Sequence, residues 1–317
     1  MTSRADPQLV VSADGLCNHC LRYDELVTVR VVRGEEGRAL LQARVEQIKR
    51  QGEGKPYDCV VGVSGGTDST FVAYLVKSLG LRPLAVHFDN GWDSELAVAN
   101  IRQVLETLDI VLETYVVDWP QFKDLQLAFH RASTPDGEVP SDHAIQATMW
   151  RAALAVGTRT IVSGMNFATE SMSVPDWAYG HSDWRYIKDV HKRFGTIPIP
   201  SYPHFSLCYL ACASAGHRVR SLSILNYVDY DKNEAQELIS RELGWRDYGG
   251  KHHESIYTRF FQGVILPQKF GVDKRYGHYS DLINAGQLNR DEAMDMLREP
   301  TYDLMTQAFK LLTRSMY

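Results

Sequence analysis

The stretch VVGVSGGTDST, residues 60–70, decides how this chain is read. The apolar, β-branched run YDCVVGV (57–63) has the make-up of a buried strand, and it stops on Ser64-Gly65-Gly66. DSTFVAYLVKSLG (68–80) then takes up helical periodicity and closes on Gly80. Strand, glycine corner and helix start, in that order, suit an anion. Backbone N–H groups at glycines approach a phosphate unhindered by Cβ atoms, and the helix offers its positive end. Ser64, Ser69 and Thr70 add hydroxyl donors around Thr67 and Asp68. The plainer alternative is a tight turn with Asp68 or Ser69 as N-cap. Six residues of S-G-G-x-D-S directly after a buried strand favour the phosphate cradle. No G-x-x-x-x-G-K-[ST] occurs anywhere, so a Walker-type NTPase is not supported.

Outward from this corner, strands and helices alternate. LRPLAVHFDN (81–90) reads as a second strand, 93–107 as a helix and IVLETYVV (110–117) as a third strand. HAIQATMWRAALAVG (143–157) reads as another helix and RTIVSGMN (159–166) as a fourth strand. An amphipathic helix spans about 37–51, and residues 1–24 read as an irregular lead-in. The alternation predicts an α/β fold, a doubly wound, mostly parallel sheet with helices on both faces. Past residue 170 aromatic, histidine and proline-rich segments run to about 204, and helical pieces dominate from Asn233 onward. The expected division is a lead-in with a cysteine pair and helix over 1–50, a nucleotide-binding domain over 51–170, and a substrate-capping region over 171–317.

In such sheets ligands collect at the carboxyl ends of the strands. Asp89 and Asn90 end the second strand and are candidates for contacts to a nucleoside, or else form the turn to the next helix. Ser163, Gly164, Asn166 and Glu170 follow the fourth strand, where Glu170 is a candidate metal ligand or a turn cap.

Composition sets the outer limits. With 317 residues, 44% hydrophobic and 23% charged, the chain is an ordinary globular protein. A net charge of −5 gives no overall basic field for nucleic acid or anionic lipid. The N-terminal residues lack the pattern of a signal peptide and no stretch is apolar enough to span a bilayer, so no membrane insertion and a cytoplasmic location are expected. Five cysteines make no disulfide framework. Cys17 and Cys20 form the C-x-x-C pair, Cys59 is expected to pack in its strand, and Cys208 and Cys212 are read as buried apolar cysteines.

The heptapeptide from Ser64 to Thr70 resembles the pyrophosphate loop of PP-loop ATPases, related to NAD and GMP synthetases. The resemblance implies a sheet of the adenine nucleotide alpha hydrolase-like (PP-loop, HUP) type with a mainly helical C-terminal region. It also implies cleavage of ATP between the α and β phosphates, with Mg²⁺ neutralising the triphosphate. Ser64, Gly65, Gly66, Thr67, Asp68, Ser69, Thr70, Asp89, Asn90 and Gly164 are then the candidate ATP contacts.

The second half narrows this. ELGWRDYGGKHHESIYTRFFQGVILPQKFGVDKRYGHYSDLI is dense in charged and aromatic residues. Lys251, His252, His253, Glu254, Lys269, Asp273, Lys274, Arg275 and His278 read as the lining of a site for an anionic substrate, or as a solvated helical surface. GVSGG-x-DST (62–70), GW with YGGKHHES (244–255), LPQKFGVDKR (266–275), GQLNRDEA (286–293) and NYVDYDKNEA (226–235) together resemble the N-acetyl sugar amidotransferases. Those enzymes act in bacterial surface-polysaccharide and LPS O-antigen biosynthesis and convert a sugar N-acetyl group to an acetamidino group. The motifs cover most of residues 57–295. One departure matters. Members of that family usually carry a further C-x-x-C ahead of the DADG-x-C-x-x-C-like stretch, which completes a four-cysteine zinc set. Here SADGLCNHC keeps only Cys17, His19 and Cys20, so half of a tetrahedral Zn²⁺ site is local, with Cys208 and Cys212 as candidate complements.

The implied chemistry activates a poor electrophile. Transfer of AMP to the amide oxygen gives an O-adenylyl imidate that ammonia attacks; AMP leaves and an amidine remains. The loop stabilises the charge developing on pyrophosphate. Asp68 is the candidate for orienting the loop or a metal, and Lys251, Lys274 and Arg275 for holding phosphates or the sugar-nucleotide diphosphate. His252 or His253 is the candidate for moving the proton of incoming ammonia. Asn166, Glu170, Glu254, Lys269 and Asp273 complete the candidate substrate contacts. No cysteine sits in a glutaminase context, and the resemblance implies separate glutaminase and cyclase-like subunits as ammonia source. The substrate is a nucleotide-activated N-acetyl sugar; UDP-linked diacetamido uronic acids and CMP-linked nonulosonic acids both qualify. The main rival is a PP-loop RNA-modifying enzyme of the thiolase or lysidine-synthetase kind, opposed by the acidic balance and the lack of a basic domain. A non-catalytic nucleotide-binding module is a second rival, opposed by the polar groups concentrated outside the core.

Overall fold

The computed structural model describes residues 1–3, 5–172, 174–250 and 253–301. Five parallel strands form one sheet: β1 (Cys59–Gly62), β2 (Pro83–Asp89), β3 (Val111–Val116), β4 (Thr160–Ser163) and β5 (Arg220–Ser223). Their order is β3-β2-β1-β4-β5. The chain therefore winds outward from β1 in one direction and, after β3, returns to β1's other side. The reversal falls between β1 and β4, where a crevice opens at the strand ends. This is the doubly wound parallel sheet expected from the sequence.

The helices in chain order are α1 (Asn18–Arg30), α2 (Gly34–Gln51), α3 (Thr67–Ser78), α4 (Glu95–Leu108), α5 (Trp119–Ala132), α6 (Val139–Ala155), α7 (Trp184–Phe194), α8 (Leu207–Ala211), α9 (Lys232–Leu243), α10 (Ile256–Phe260), α11 (Arg275–Asn284) and α12 (Arg290–Met296). A wide π-type coil, Phe261–Phe270, continues α10. Alternate side chains of a strand face opposite ways, and this builds two cores. Val61, Ala85 and Val162 pack with Val72, Val76, Val45 and Ile48 of α3 and α2. Val60, Leu84, Val86 and Ile161 pack on the other face with Met149, Ala152 and Ala153 of α6. Burying one such valine contributes about 1.5–3 kcal/mol, so the strand residues supply a substantial part of what fastens each helix layer.

Three segments depart from the sequence reading. The lead-in is not irregular throughout, because α1 occupies Asn18–Arg30. It is held from outside: Tyr23 stacks on Phe167 and its hydroxyl donates to the Ala168 carbonyl, while Arg22 donates to the Ser171 carbonyl. α5 fills the stretch between the third strand and α6. The fifth strand, RSLS, is four residues long with exposed and half-buried side chains, so it has no apolar run to announce it. No helix among the described residues is long and apolar enough to cross a membrane.

Candidate active site at the loop between β1 and α3

The loop between β1 and α3 turns at Gly65, whose φ is +77° and where a Cβ would come 2.6 Å from the Ala97 carbonyl oxygen. Only glycine fits that corner. The Ser69 hydroxyl accepts from the Ser64 N–H at 3.3 Å and donates to the Gly66 carbonyl at 3.2 Å, and the Gly66 N–H donates to Ser64 Oγ at 3.3 Å. Ser64, Gly66 and Ser69 therefore hold one tight curl at the start of α3, with Asp68 in the helix's first turn. Thr70 is buried, and its N–H bonds the Gly66 carbonyl as an ordinary helix residue. Gly164, past the end of β4, lies against the curl, since a Cβ there would sit 3.3 Å from the Ser69 nitrogen.

The other partners of the loop come from far down the chain. The Tyr230 hydroxyl donates to Asp68 Oδ1. Trp245 Nε1 donates to the Gly65 carbonyl at 2.8 Å, and Gln236 Nε2 to Thr67 Oγ1 at 3.1 Å. The Thr67 N–H donates to the Tyr248 hydroxyl at 3.3 Å. Burial, then the Asp68 carboxylate, push the Tyr230 phenol far up; burial and Glu254 do the same to Tyr248. Both are neutral hydroxyls. Sequence reading quoted NYVDYDKNEA, GW and YGG as motifs but took the charged residues within and beyond them as functional. The residues that touch the loop are the aromatics of those motifs and the amide of Gln236, which lies just past NYVDYDKNEA; of the charged candidates in the second half, Glu254 stands beside Gly66.

The remaining candidates divide. Asp89 Oδ1 accepts the Gly91 N–H at 2.8 Å and Asn90 Oδ1 the Trp92 N–H at 3.1 Å, which is the turn-forming alternative. Asn90 Nδ2 also reaches Ser141 Oγ at 3.4 Å, tying the end of β2 to α6. Asn166 is buried, its Oδ1 takes the Thr169 N–H at 2.9 Å, and its Nδ2 has no hydrogen-bond partner among the described residues. Glu170 lies near enough to Tyr230 to raise it. Residues 254–256 run beside 92–94, with Ser94 N–H on the Glu254 carbonyl and Ile256 N–H on the Trp92 carbonyl, both at 2.8 Å. That brings the Glu254 carboxylate beside Gly66. His253 follows the Gly250 turn, its N–H on the Gly250 carbonyl at 3.4 Å. Lys251 and His252 lie outside the described residues.

Arg275 is committed to its own neighbourhood. It grips Asp273 at 2.9 Å and donates to the Glu299 carbonyl at 2.9 Å and the Met296 carbonyl at 3.3 Å, locking the end of α12. Lys269 lies 5.2 Å over the Phe270 ring. Lys274 faces a group of acids that sequence reading passed over in DGEVPSD. There Asp136 holds His181 Nε2 at 2.7 Å, and Asp142 is 3.5 Å from His181 Nδ1. Glu138, 9% exposed, accepts the Thr258 hydroxyl at 2.9 Å through one oxygen, and its other oxygen has no hydrogen-bond partner among the described residues. Burial and then Asp142 push the Glu138 carboxyl up to about 8, against the pull of Thr258 and Lys274. It is mostly an uncharged acid at neutral pH.

The cysteines do not form a zinc set. Cys17 and Cys20 are 3.5 Å apart at sulfur, and His19, the local third candidate, is taken by Asp6 at 2.6 Å. No group of three metal-binding side chains occurs among the described residues. Two thiols do not satisfy a four-coordinate ion. Cys208, in α8, and Cys212, directly after it, are both exposed rather than buried as expected; α8 has no buried residue of its own, and in the turn that Cys212 opens the buried residue is Ala213. Cys59 is fully buried, and burial pushes its thiol up to about 12.

Residues 254–316 match the family model described as LPS biosynthesis protein WbpG-like, C-terminal domain. No curated protein matches the chain. Among solved structures, NMN synthetase from Francisella tularensis is similar over 68% of this chain and 98% of that chain, at 10% identity and a TM-score of 0.34. A predicted subunit of tRNA methyltransferase from Methanocaldococcus jannaschii is similar over 57% and 73%, at 14% identity and a TM-score of 0.33. The segment that begins at Glu254, beside the loop between β1 and α3, is thus similar to the C-terminal domain of WbpG-like LPS biosynthesis proteins.

Proposed function

We propose that the protein is an ATP-dependent, AMP-forming amidotransferase that converts an N-acetyl group of a nucleotide-activated sugar to an acetamidino group. The observation that carries this reading is the S-G-G-x-D-S curl at the carboxyl end of β1, gripped by Tyr230, Trp245 and Tyr248 and continued into a segment like an LPS biosynthesis domain. The loop binds the β and γ phosphates through backbone N–H groups and the Ser64 and Ser69 hydroxyls. Charge appearing on pyrophosphate is met by donors already in position, which lowers the barrier without reorganisation. Asp68, fixed by Tyr230, and Glu170 beside the same phenol supply hard carboxylate oxygens. Magnesium is commonly held by one or two carboxylates together with substrate phosphates, so this donor set suits it. When bound, it neutralises the triphosphate.

The amide oxygen of the sugar attacks the α phosphorus and pyrophosphate leaves. Ammonia then adds to the imidate carbon, and loss of AMP with a proton leaves the amidine. His253 is the described candidate for receiving that proton, and Lys274 the described cation for the sugar nucleotide's phosphates. Ammonia comes from separate glutaminase and cyclase-like subunits. The test supplies ATP, Mg²⁺, concentrated ammonium salt and a panel of UDP- and CMP-linked N-acetyl sugars. The expected products are AMP, pyrophosphate and a sugar in which an imino group has replaced the amide oxygen. Formation of ADP, or AMP release without change in sugar mass, refutes the assignment.

A further inference from the structure

The turn that leads into α1 is closed by its own hydrogen bonds. The Asn18 N–H donates to the Val10 carbonyl at 2.9 Å, and the Val10 N–H donates to Asn18 Oδ1 at 3.2 Å. Between them, the Ser12 N–H donates to the Leu16 carbonyl at 2.8 Å. The lead-in is fastened to the helix by Asp6 and His19, both buried and 2.6 Å apart. In a small zinc site the ion does both of these jobs, because the free energy of binding it is free energy of folding. Here hydrogen bonds and an ion pair do them, and His19 turns its Nε2 to Asp6 instead of to the cysteines.

The two thiols of that turn face each other. Cys17 is the N-cap of α1, in extended backbone at φ −82° and ψ 160°, and Cys20 lies in the helix's first turn. Their sulfurs are 3.5 Å apart, with the Cys17 thiol donating to Cys20. Cys20 donates in turn to Asn284 Oδ1 at 3.8 Å, across the seam between α1 and the end of α11. Both cysteines are partly exposed, so a small reagent reaches them. A bond between them needs the sulfurs to close from 3.5 Å to about 2.0 Å. Cys17 stands at the half-in flanking position of the helix, so its side chain can turn to do this without unwinding α1. Burial, then the Cys17 thiol, push the Cys20 thiol up, which makes Cys20 the second of the two to react.

We propose that Cys17 and Cys20 form a reversible dithiol–disulfide site, oxidised by small disulfides, where the family that the sequence resembles carries part of a four-cysteine zinc set. The Cys17 thiolate attacks a sulfur of glutathione disulfide and expels one glutathione thiolate. The Cys20 thiolate then attacks the Cys17 sulfur and expels the second. Two protein thiols are oxidised to one disulfide, and one glutathione disulfide is reduced to two thiols. Oxidation also takes the hydrogen that Cys20 gives to Asn284, so the seam between α1 and α11 loses that bond. The site does not depend on the amidotransferase reading.

The test uses the full chain and one tryptic peptide, residues 5–22, which holds both cysteines. Reduced protein is treated with glutathione disulfide, alkylated at its remaining thiols, digested and weighed. Before treatment the peptide should carry two alkyl groups. Afterwards it should carry none, retain no glutathione and be lighter than the dithiol by two hydrogens, and dithiothreitol should restore it. Cys20→Ser removes the second thiol and should leave one glutathione on Cys17. Zinc, measured by emission spectrometry on protein purified from zinc-containing medium, should be far below one ion per chain. A peptide that keeps both alkyl groups, a wild-type peptide that retains glutathione, or one zinc per chain that protects the pair from alkylation overturns the proposal.

Discussion

Replacing Glu138 by Gln should stabilise the protein, and by an amount that grows with pH. The carboxyl has an ordinary value of 4.5 and is pushed up to about 8 by burial and by Asp142, with Asp136 adding to the shift and Thr258 and Lys274 opposing it. Between those values the folded chain keeps a proton that the unfolded chain has released. Stability therefore falls as pH rises through this window and is flat below and above it. At pH 7 the window has been crossed for about 2.5 units, and at about 1.4 kcal/mol per unit the largest cost is about 3 kcal/mol. Glutamine keeps an acceptor for the Thr258 hydroxyl and carries no charge to desolvate, so it removes the cost without emptying the site. Urea unfolding of both proteins at pH 5, 6, 7 and 8 measures it. The variant should nearly match the wild type at pH 5 and gain up to about 3 kcal/mol by pH 7, with a further rise toward pH 8. A difference that stays constant with pH, or a variant less stable throughout, would mean that Glu138 is ionised in the fold and that the acid cluster is organised differently.

Three further outcomes follow from the same geometry. Tyr230→Phe removes the hydroxyl on Asp68 and leaves a carboxylate free to turn away from the loop; AMP formation should fall by about tenfold or more, and an unchanged rate would dissociate Asp68 from the reaction. Gly65→Ala forces a side chain at φ +77° against the Ala97 carbonyl; the loop should shift, with about 1–2 kcal/mol lost from stability and a larger loss in ATP binding by calorimetry. Asp124 accepts from Thr196 N–H at 2.8 Å, Thr196 Oγ1 at 2.6 Å, Ile197 N–H at 3.2 Å and His191 at 3.1 Å, pinning residues 191–197 to α5. Burial alone would raise that carboxyl, but these bonds hold it at about 2. Its stabilisation is present above its unfolded value and is lost as pH falls toward 2, so Asp124→Ala should cost about 2–4 kcal/mol at neutral pH and lower the Tm accordingly.

The sheet was legible because its central strands are apolar runs, and the loop because glycine, serine and aspartate occur at a strand-to-helix corner. β5 was not, since RSLS is short and its side chains are largely at the surface. α1 escaped for a related reason: its contacts, Tyr23 on Phe167 and Arg22 on Ser171, are to residues far along the chain and leave little periodicity in its own letters. Within the site, sequence reading favoured charges. Arg275 shows the weakness of that preference, because its guanidinium is spent on Asp273 and on carbonyls at the end of α12. Tyr230 and Tyr248 show the converse. A tyrosine in a sequence is read first as apolar bulk, and only the fold shows the hydroxyls of these two on a loop 162 and 181 positions earlier.

One run of chain, from Trp245 to Thr258, touches both polar centres of the molecule. Trp245 and Tyr248 bond the loop between β1 and α3, Glu254 stands at Gly66, and Thr258 bonds the uncharged acid Glu138. The run is held in place between them by hydrogen bonds from 254–256 to 92–94. The aromatics of GW and YGG and the polar residues of HES thus stand close in sequence along one segment that meets both centres. Trp245, Tyr248 and Glu254 set the segment against the loop between β1 and α3, and Ser255 and Thr258 carry it on to Glu138.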